Sequence, residues 1–400
     1  MFIVVLAAGC SRAPIKKSAE SLRTVSHATE YKDDLDYLGL FTAMSETIDR
    51  LRENPYKVMK FGKYEITAGE YARDLELLVQ EIDMDDDGTA FKTALKRDFE
   101  ALEVFGTDEG WSKVFVTSYY TPEIPGSRKR TKKYSAPVYA RPKDMVKVPM
   151  RKFVDAQPSL QGKGLTDVIR DGKLRGRLEK ASDGQVSLLP YWDRKEINKL
   201  KRKQRPKILA WADPVDLFFL QIQGSGRLNL GKGKSLNLNY ADQNGHPYYP
   251  IGRALKDVIP KEQMSLQSIE AHLRSLSKDE AQKILDLNAS YVFFEKSDQL
   301  AMTAFGLEAQ KGRTIATDRR YFPKGGFGYL EYPGLSESET GGSRFILDHD
   351  TGGAIRGPGR VDLYWGIGDH AEEVSGRMKG EGRLYYFVPR RLVSGVSSGL

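Results

Sequence analysis

The sequence predicts a mainly β protein with an N-terminal helical portion. Three observations carry this expectation. From Val114 onward, short runs rich in β-branched and aromatic residues alternate with turn residues: KVFVTSYYTPEIPG, SYVFFEKS, SRFILDHD, VDLYWGI and GRLYYFVP. Between about Asp36 and Leu102 the apolar residues instead fall at helical spacing, as Leu75, Leu78, Val79 and Ile82 do before the break at Asp85-Asp86-Asp87-Gly88. The chain has 400 residues, of which 10% are aromatic, enough for roughly two to three globular domains with cores of their own.

Many short strands with frequent turns favour small barrels. DPVDLFFLQIQGSGRL reads as one such run, a strand that ends in a Gly-Ser-Gly turn. A mixed helical interval, roughly 252–287, interrupts the β texture, and a Ser/Gly-rich tail closes the chain from Val393. Residues 10–35 are polar and read as a tether. No internal repeat is present.

The formal net charge is +8, concentrated in two places. One runs from Arg128-Lys129-Arg130 through Lys132, Lys133, Arg141, Lys143 and Lys147 to Arg151 and Lys152; the other runs from Arg194 to Lys207. Such clusters suit a polyanion, or are solvated lysines on loops, and no nucleic-acid motif accompanies them. No apolar run reaches the roughly 18 residues of a spanning helix. The single cysteine, Cys10, excludes an intrachain disulfide. It follows MFIVVLAAG, an apolar run ending in small residues, which resembles a bacterial lipoprotein signal. On that reading residues 1–9 are removed and Cys10 carries lipid, anchoring a soluble body to a membrane; the alternative is a buried N-terminal segment with a free thiol.

Several motifs fail on their chemistry. Asp83 to Gly88 begins like a calcium loop, but the twelfth position, where a bidentate Glu is required, is Ala94. GRLNLGKG mimics a phosphate loop, yet Gly233 stands where Ser or Thr must hold magnesium, and a strand-like stretch follows. The five histidines show no zinc-ligand spacing, so neither metal nor cofactor is expected. Asp350-Thr351-Gly352 resembles the triplet of aspartic proteases, whose chemistry needs two such carboxylates; one copy per chain would require a homodimer. In LQIQGSGRL, Gln221 or Gln223, Ser225 and the glycine backbone could approach a polar ligand, or could simply make a β-turn.

An aspartate in the middle of a strand is the feature that asks for a function. In VDLYWG, Val361, Leu363 and Trp365 share one face and Asp362 and Tyr364 the other. The apolar trio belongs to a core and Asp362 with Tyr364 to a groove. A carboxyl beside an aromatic and partly shielded from water can keep its proton and serve as a general acid; the alternative is a satisfied structural aspartate at a strand bend.

TDRRYFP, DTGGAIRGPGRVDLYWGIG, LQIQGSGRL, YADQNGHPYYPIGRAL and NASYVFFEKS together resemble the membrane-bound lytic transglycosylase A family, MltA. FVTSYYTPEIPGSR and GRLEKASDGQVSLLPYWDRKEI extend the resemblance over about residues 110–390. It implies a double-ψ β-barrel domain from 36–121 and 295–400, a second inserted β-barrel-like domain at 122–294, and a groove between them for a glycan strand. It also implies a monomer on the periplasmic side of a Gram-negative outer membrane that binds peptidoglycan and no nucleic acid. Asp362 maps onto the catalytic acid, and Asp350 and Asp318 onto supporting aspartates expected to hold Asp362 and sugar hydroxyls. The expected substrate-binding residues are Thr117, Tyr119, Gln223, Gly224, Ser225, Gly226 and Tyr364. The reaction implied is cleavage of the β-1,4 bond between N-acetylmuramic acid and N-acetylglucosamine with formation of a 1,6-anhydro ring. The alternative is a cell-wall-binding lipoprotein without turnover.

Overall fold

The computed structural model describes residues 18–25, 30–82, 87–106, 110–111, 113–150, 156–157, 173–260, 263–335, 340–353 and 355–394. The expected signal at 1–9, Cys10 and residues 83–86 of the acidic loop lie outside them. The chain divides into two units. The first comprises residues 1–119, 303–366 and 377–400, and the second residues 120–302 and 367–376.

The first unit opens with strands β1 (Leu22–Thr24), β2 (Val58–Phe61), β3 (Tyr64–Thr67), β4 (Phe99–Val104) and β5 (Val114–Thr121), interleaved with helices α1 (Leu40–Arg52), α2 (Ala68–Val79) and α3 (Thr89–Asp98). Helix α2 begins where Thr67 and Glu70 form a reciprocal capping box, and its buried stripe includes Leu75, Leu78 and Val79. The capped, 3.6-periodic segment is thus a helix for the reason its spacing suggests.

The second unit follows with β6 (Glu123–Ser127), β7 (Ala136–Tyr139), β8 (Met145–Pro149), β9 (Lys173–Lys180), β10 (Val186–Pro190), β11 (Ile208–Ala212), β12 (Gly226–Asn229), β13 (Ser235–Gln243) and β14 (Val292–Ser297). Its helices are α4 (Arg194–Lys199), α5 (Pro214–Gln223), α6 (Leu266–Ser275) and α7 (Lys278–Leu285). The chain then completes the first unit with β15 (Thr314–Thr317), β16 (Gly326–Tyr332), β17 (Gly342–Asp350), β18 (Arg360–Ile367), β19 (Lys379–Pro389) and α9 (Arg390–Ser394); α8 (Asp369–Arg377) lies between β18 and β19.

In the first unit the order β19-β16-β17-β15-β18-β5, with β5 also paired to β19, closes a six-stranded barrel, and β4 and β1 extend the sheet. β15 runs parallel to β17 and antiparallel to β18. Phe91, Phe327, Tyr329, Phe345 and Phe387 belong to the core where the helices cover this sheet. The second unit has its own six-stranded sheet, β14-β13-β12-β6-β11-β7, whose ends meet at the bridge between Ala140 and Phe294. Ile124, Val138, Ala212, Leu228, Leu238 and Phe294 fill it. The protein is therefore mainly β, with two barrel-like domains and a helical N-terminal portion.

Four expectations change. First, DPVDLFFLQIQ is helix α5, not strand. Asp213 caps it through Val215 and Asp216 N–H, Pro214 occupies the first turn, and Gly224 (φ 88°) ends it. Burial on nearly every side hid its period. Second, residues 18–25 and 30–35 are not a tether. β1 pairs with β4, and Asp33 is fully buried against Arg313, which donates to both its oxygens at 2.5 and 3.0 Å.

Third, the basic clusters are partly internal. Arg141 (2.9 Å), Lys147 (2.9 Å) and Arg175 (2.8 Å) converge on buried Asp242. Arg194 is buried and donates to Gln221 Oε1 at 2.6 Å and to the Asn288 and Ser290 carbonyls. Burial pushes its guanidinium down to about 10. Fourth, residues 367–376 belong to the second unit rather than the first, since the Glu372 carbonyl accepts from Gln267 Nε2 at 3.1 Å.

Removing one partner of a buried ion pair strands the other charge, at a cost of about 3–5 kcal/mol. Asp33→Ala is expected to lower the stability of the first unit by that amount in urea unfolding, while Lys32→Ala, exposed next to it, changes stability by less than about 0.5 kcal/mol. Equal, small effects would show that the Asp33–Arg313 pair does not hold the N-terminal segment.

Candidate functional site

The site is organised by β15, the short buried strand between β17 and β18. Ala316 lies opposite Asp350 on β17 and opposite Asp362 on β18. Residues directly opposite on paired strands share a face, so the two aspartates flank a methyl group. Along β17 the register jumps. Ile315 is opposite Asp348 and Ala316 is opposite Asp350, which leaves His349 without a partner in β15. This is a bulge, a device that re-aims side chains.

His349 pins the bulge from the other side. Its Nε2 is 2.8 Å from Thr47 Oγ1, and its ring stacks on Phe305 at 5.3 Å and 13°. Burial, with the Lys324 charge adding to it, pushes the imidazole down to about 3. Asp348, fully buried, accepts from Lys324 Nζ at 2.6 Å, from the Tyr386 hydroxyl at 2.6 Å and from the Thr317 hydroxyl at 2.5 Å. Burial and the neighbouring Asp348 charge push the Tyr386 phenol far above its usual range.

Asp350 is held differently. Its Oδ1 accepts from the Thr351 N–H (2.8 Å) and the Ala304 N–H (3.0 Å), and its Oδ2 from the Tyr119 hydroxyl (3.1 Å). Desolvation nevertheless wins over these donors and raises its carboxyl above the ordinary carboxylate range. Asp318, at the end of β15, is ion-paired to Arg320 at 2.5 Å and accepts from the Gly357 N–H at 2.9 Å. Burial alone would raise it, but the Arg320 and backbone donors outweigh burial and its carboxyl lies below the usual range. Through Gly357 it ties down the Gly-rich turn that feeds β18.

Asp362 projects from β18 with 18% of its side chain exposed. Its Oδ1 accepts from the Thr117 hydroxyl on β5 and from Arg360 Nε at 3.3 Å. Arg360 Nη2 also donates to Thr117 Oγ1 at 2.9 Å. Among the described residues no protein group bonds Oδ2.

Val361 and Leu363 are fully buried, as the strand-face reading requires, and Trp365 is half-buried. Tyr364 departs from that reading. It is buried rather than open, its ring 5.1 Å from that of Tyr119. Desolvation and the Asp350 charge push the Tyr119 phenol well above its usual range.

Thr117, Tyr119, Asp318, Asp350, Asp362 and Tyr364 all belong to the first unit. Gln223, Gly224, Ser225 and Gly226 belong to the second. There Gln223 Oε1 accepts from the Tyr120 N–H at 3.3 Å, and Gly226 is packed so closely that a Cβ would come within 2.1 Å of Leu220. Gln221 is committed to Arg194 and to the Val292 carbonyl, so of the two glutamines Gln223 is the half-exposed one. Among the described residues no group of three His, Cys, Asp or Glu side chains is placed to hold a metal, and no helix is long and apolar enough to cross a membrane.

Residues 115–295 match the MltA specific insert domain and residues 313–388 match the 3D domain. Over 309 residues the chain is 28% identical to the membrane-bound lytic murein transglycosylase A of Escherichia coli (strain K12), covering 75% of this chain and 72% of that one. The crystal structure of the membrane-bound lytic murein transglycosylase from Agrobacterium tumefaciens superposes with a TM-score of 0.74 at 27% identity, over 94% of this chain and 99% of that one. MltA from Neisseria gonorrhoeae gives 0.65 at 27% identity, over 88% and 87%. The chain is similar to MltA proteins and carries the MltA specific insert domain at residues 115–295.

After the burial of Tyr364, a second expectation about the site changes. Among the described residues neither Asp350 nor Asp318 bonds Asp362; Thr117 and Arg360 do. Arg360 was not foreseen, although its position two residues before Asp362 on a strand puts both on one face. Lys324 and Tyr386, the partners of Asp348, were also missed, and nothing local in the sequence marks them. The protease reading loses its footing because both Asp350 oxygens are occupied by donors from its own surroundings.

His349 gives a pH test. Its folded value, about 3, is depressed from the roughly 6.5 of an unfolded chain. Its contribution is therefore fully present above pH 6.5 and is lost as pH falls towards 3, by up to about 1.4 kcal/mol per pH unit. His349→Gln, which keeps a polar partner for Thr47, is expected to flatten the decline of the urea midpoint between pH 6.5 and pH 4.5 by that slope. Parallel curves for the two proteins would refute the assignment.

Proposed function

We propose that this chain is a lytic transglycosylase that cleaves the β-1,4 bond between N-acetylmuramic acid and N-acetylglucosamine in peptidoglycan, with Asp362 as the single protein acid and base. The observation that carries the residue assignment is the contrast among the barrel carboxylates. Asp318 is bound to Arg320, Asp348 to Lys324 and Asp350 to Tyr119 and two backbone N–H groups. Asp362 alone of these four has an oxygen without a protein donor among the described residues and is partly open.

In the first step the Asp362 carboxyl gives its proton to the glycosidic oxygen as the bond from C1 breaks. The carboxylate so formed then takes the proton of the muramyl C6 hydroxyl as that oxygen bonds to C1. The products are a free 4-hydroxyl and a 1,6-anhydro end. No water is consumed, and Asp362 recovers its proton. A hydrolase needs a second carboxylate to activate water or to attack C1. Asp350, flanking the same Ala316, has both oxygens engaged and is poorly placed for either task. Intramolecular attack by the sugar's own hydroxyl supplies about 7–11 kcal/mol of what a second group would contribute.

Gln223 to Gly226, Thr117, Tyr119 and Tyr364 are proposed to contact or shape the path of the glycan. Thr117 and Tyr364 act through Asp362 and Tyr119 rather than as free lining groups. The protein is proposed to work as a monomer held by lipid on Cys10 at the periplasmic face of an outer membrane, in keeping with relatives named membrane-bound.

Digestion of purified murein sacculi is expected to release muropeptides with 1,6-anhydro ends, read by mass spectrometry, and Asp362→Asn is expected to lower the rate by at least about 100-fold while sacculus binding persists. Reducing ends would instead mean hydrolysis, full activity of Asp362→Asn would remove that residue from the chemistry, and binding without any product would mean a cell-wall-binding protein. Cys10→Ser is expected to abolish palmitate labelling and release the protein from the membrane fraction; retained labelling would overturn the anchor.

A further inference from the structure

We propose that Arg360 is a positioning residue for the reaction, fixing Thr117 and Asp362 so that the proton leaves and returns through one carboxyl oxygen, Oδ2. The inference rests on the assignment of Asp362 as acid and base given above.

Arg360 and Asp362 are two residues apart on β18, so their side chains leave the strand on the same side. The guanidinium donates from Nη2 to Thr117 Oγ1 at 2.9 Å and from Nε to Asp362 Oδ1 at 3.3 Å. Its carbon lies 5.3 Å from the ring centre of Phe115, which is two residues before Thr117 on β5. One fork thus spans two strands and is braced on an aromatic face.

The direction of these bonds is dictated by chemistry. A guanidinium only donates, so the Thr117 oxygen accepts from Arg360 and its hydroxyl proton goes to Asp362 Oδ1. Two donors then converge on Oδ1, leaving no room for a proton there. The acidic proton is confined to Oδ2, the oxygen without a protein donor among the described residues. A freely rotating carboxyl would divide its proton between two oxygens and two directions; here one orientation is selected before substrate arrives.

The same cation faces the carboxylate that forms when the proton moves to the leaving oxygen, and stabilises it as it develops. The other polar groups around this point, Tyr119 and Asp350 with Tyr364 packed behind, are bonded to one another or buried, and Lys379 lies opposite Thr117 on β19. They supply no second fork of this kind to Asp362. Lysine at 360 could keep the charge but not two donors in fixed geometry.

The test uses the full chain acting on soluble oligomers of alternating N-acetylglucosamine and N-acetylmuramic acid. Arg360→Leu is expected to lower kcat by about 10–100-fold with KM changed by no more than about threefold. Arg360→Lys should recover part of the loss, and millimolar guanidinium should restore part of the activity of Arg360→Ala. Thr117→Val should lower kcat similarly, and combining it with Arg360→Leu should cost little more than either change alone, because the two act as one unit.

A wild-type kcat in Arg360→Leu, a loss confined to KM, or a loss that neither lysine nor guanidinium relieves would each overturn the proposal. Urea midpoints of all variants accompany the kinetics, and the lysine variant keeps the test open if the leucine variant fails to fold. Asp362→Asn is run in parallel. If it is active, the assignment of Asp362 fails; if it is inactive while Arg360→Leu is normal, only the present inference fails.

Discussion

The local geometry of the site depends on one extra residue in a strand. In an unbroken β17, Asp348 and Asp350 would share a face and an environment. The bulge at His349 separates them. Asp348 enters the closed network of Lys324, Thr317 and Tyr386, whereas Asp350 comes level with Ala316 and Asp362. The bulge costs an unpaired position in the ladder and the burial of an imidazole. Stacking on Phe305 and the contact with Thr47 offset that cost only while the ring stays neutral. Helix α1 supplies Thr47, so the helical N-terminal portion is part of what shapes the barrel strand.

The strands on either side use the same logic of distant partners converging. Asp318 leaves the end of β15 and captures the Gly357 N–H, which fixes the turn before β18. The Gly359 carbonyl at that turn accepts from the Phe115 N–H, which fixes the start of β5. Thr117 and Arg360 then meet over Asp362 because both their strands have been set in register from below. Loss of any one of these contacts is expected to displace the Asp362 carboxyl without touching it, so its placement is a property of three strands and a turn rather than of the aspartate alone.

What the sequence revealed and what it hid follow from the range of the interaction. Strand β18 was legible in part because alternation is local: Val361 and Leu363 are buried and Asp362 is partly exposed, whereas Tyr364 is buried and Trp365 half-buried against the pattern of VDLYWG. Helix α2 was legible because Thr67 and Glu70 cap it and Leu75, Leu78 and Val79 repeat at the helical period. Helix α5 was misread because Val215, Leu217, Phe218, Phe219 and Leu220 bury on nearly all sides, which erases the period that distinguishes helix from strand. Its caps, Asp213-Pro214 and Gly224, were the surviving signal. The pairing of Asp33 with Arg313, 280 residues apart, and of Thr117 with Arg360, 243 apart, had no local signature at all. A polar N-terminal stretch looks like a tether until its partner is known.

Four carboxylates crowd one end of this barrel, and their environments assign them different work. Asp318 is kept ionised by Arg320 and by backbone donors, so it can hold a turn at any ordinary pH. Asp348 is matched by an ammonium inside the protein, an arrangement that orders the core and offers nothing to a ligand. Asp350 is driven towards its neutral form by burial, yet both its oxygens are spoken for. A carboxyl whose two oxygens are both engaged by donors is ill suited to attack a sugar carbon or to activate water, since either role needs a free oxygen. On the proposed assignment the chemistry passes through the one oxygen of these four carboxylates without a donor among the described residues, Oδ2 of Asp362, and the reaction best matched to a single oxygen is one in which the substrate brings its own nucleophile. The proposed restriction to anhydro products, on this argument, comes less from the proposed role of Asp362 than from how completely its three neighbours are occupied.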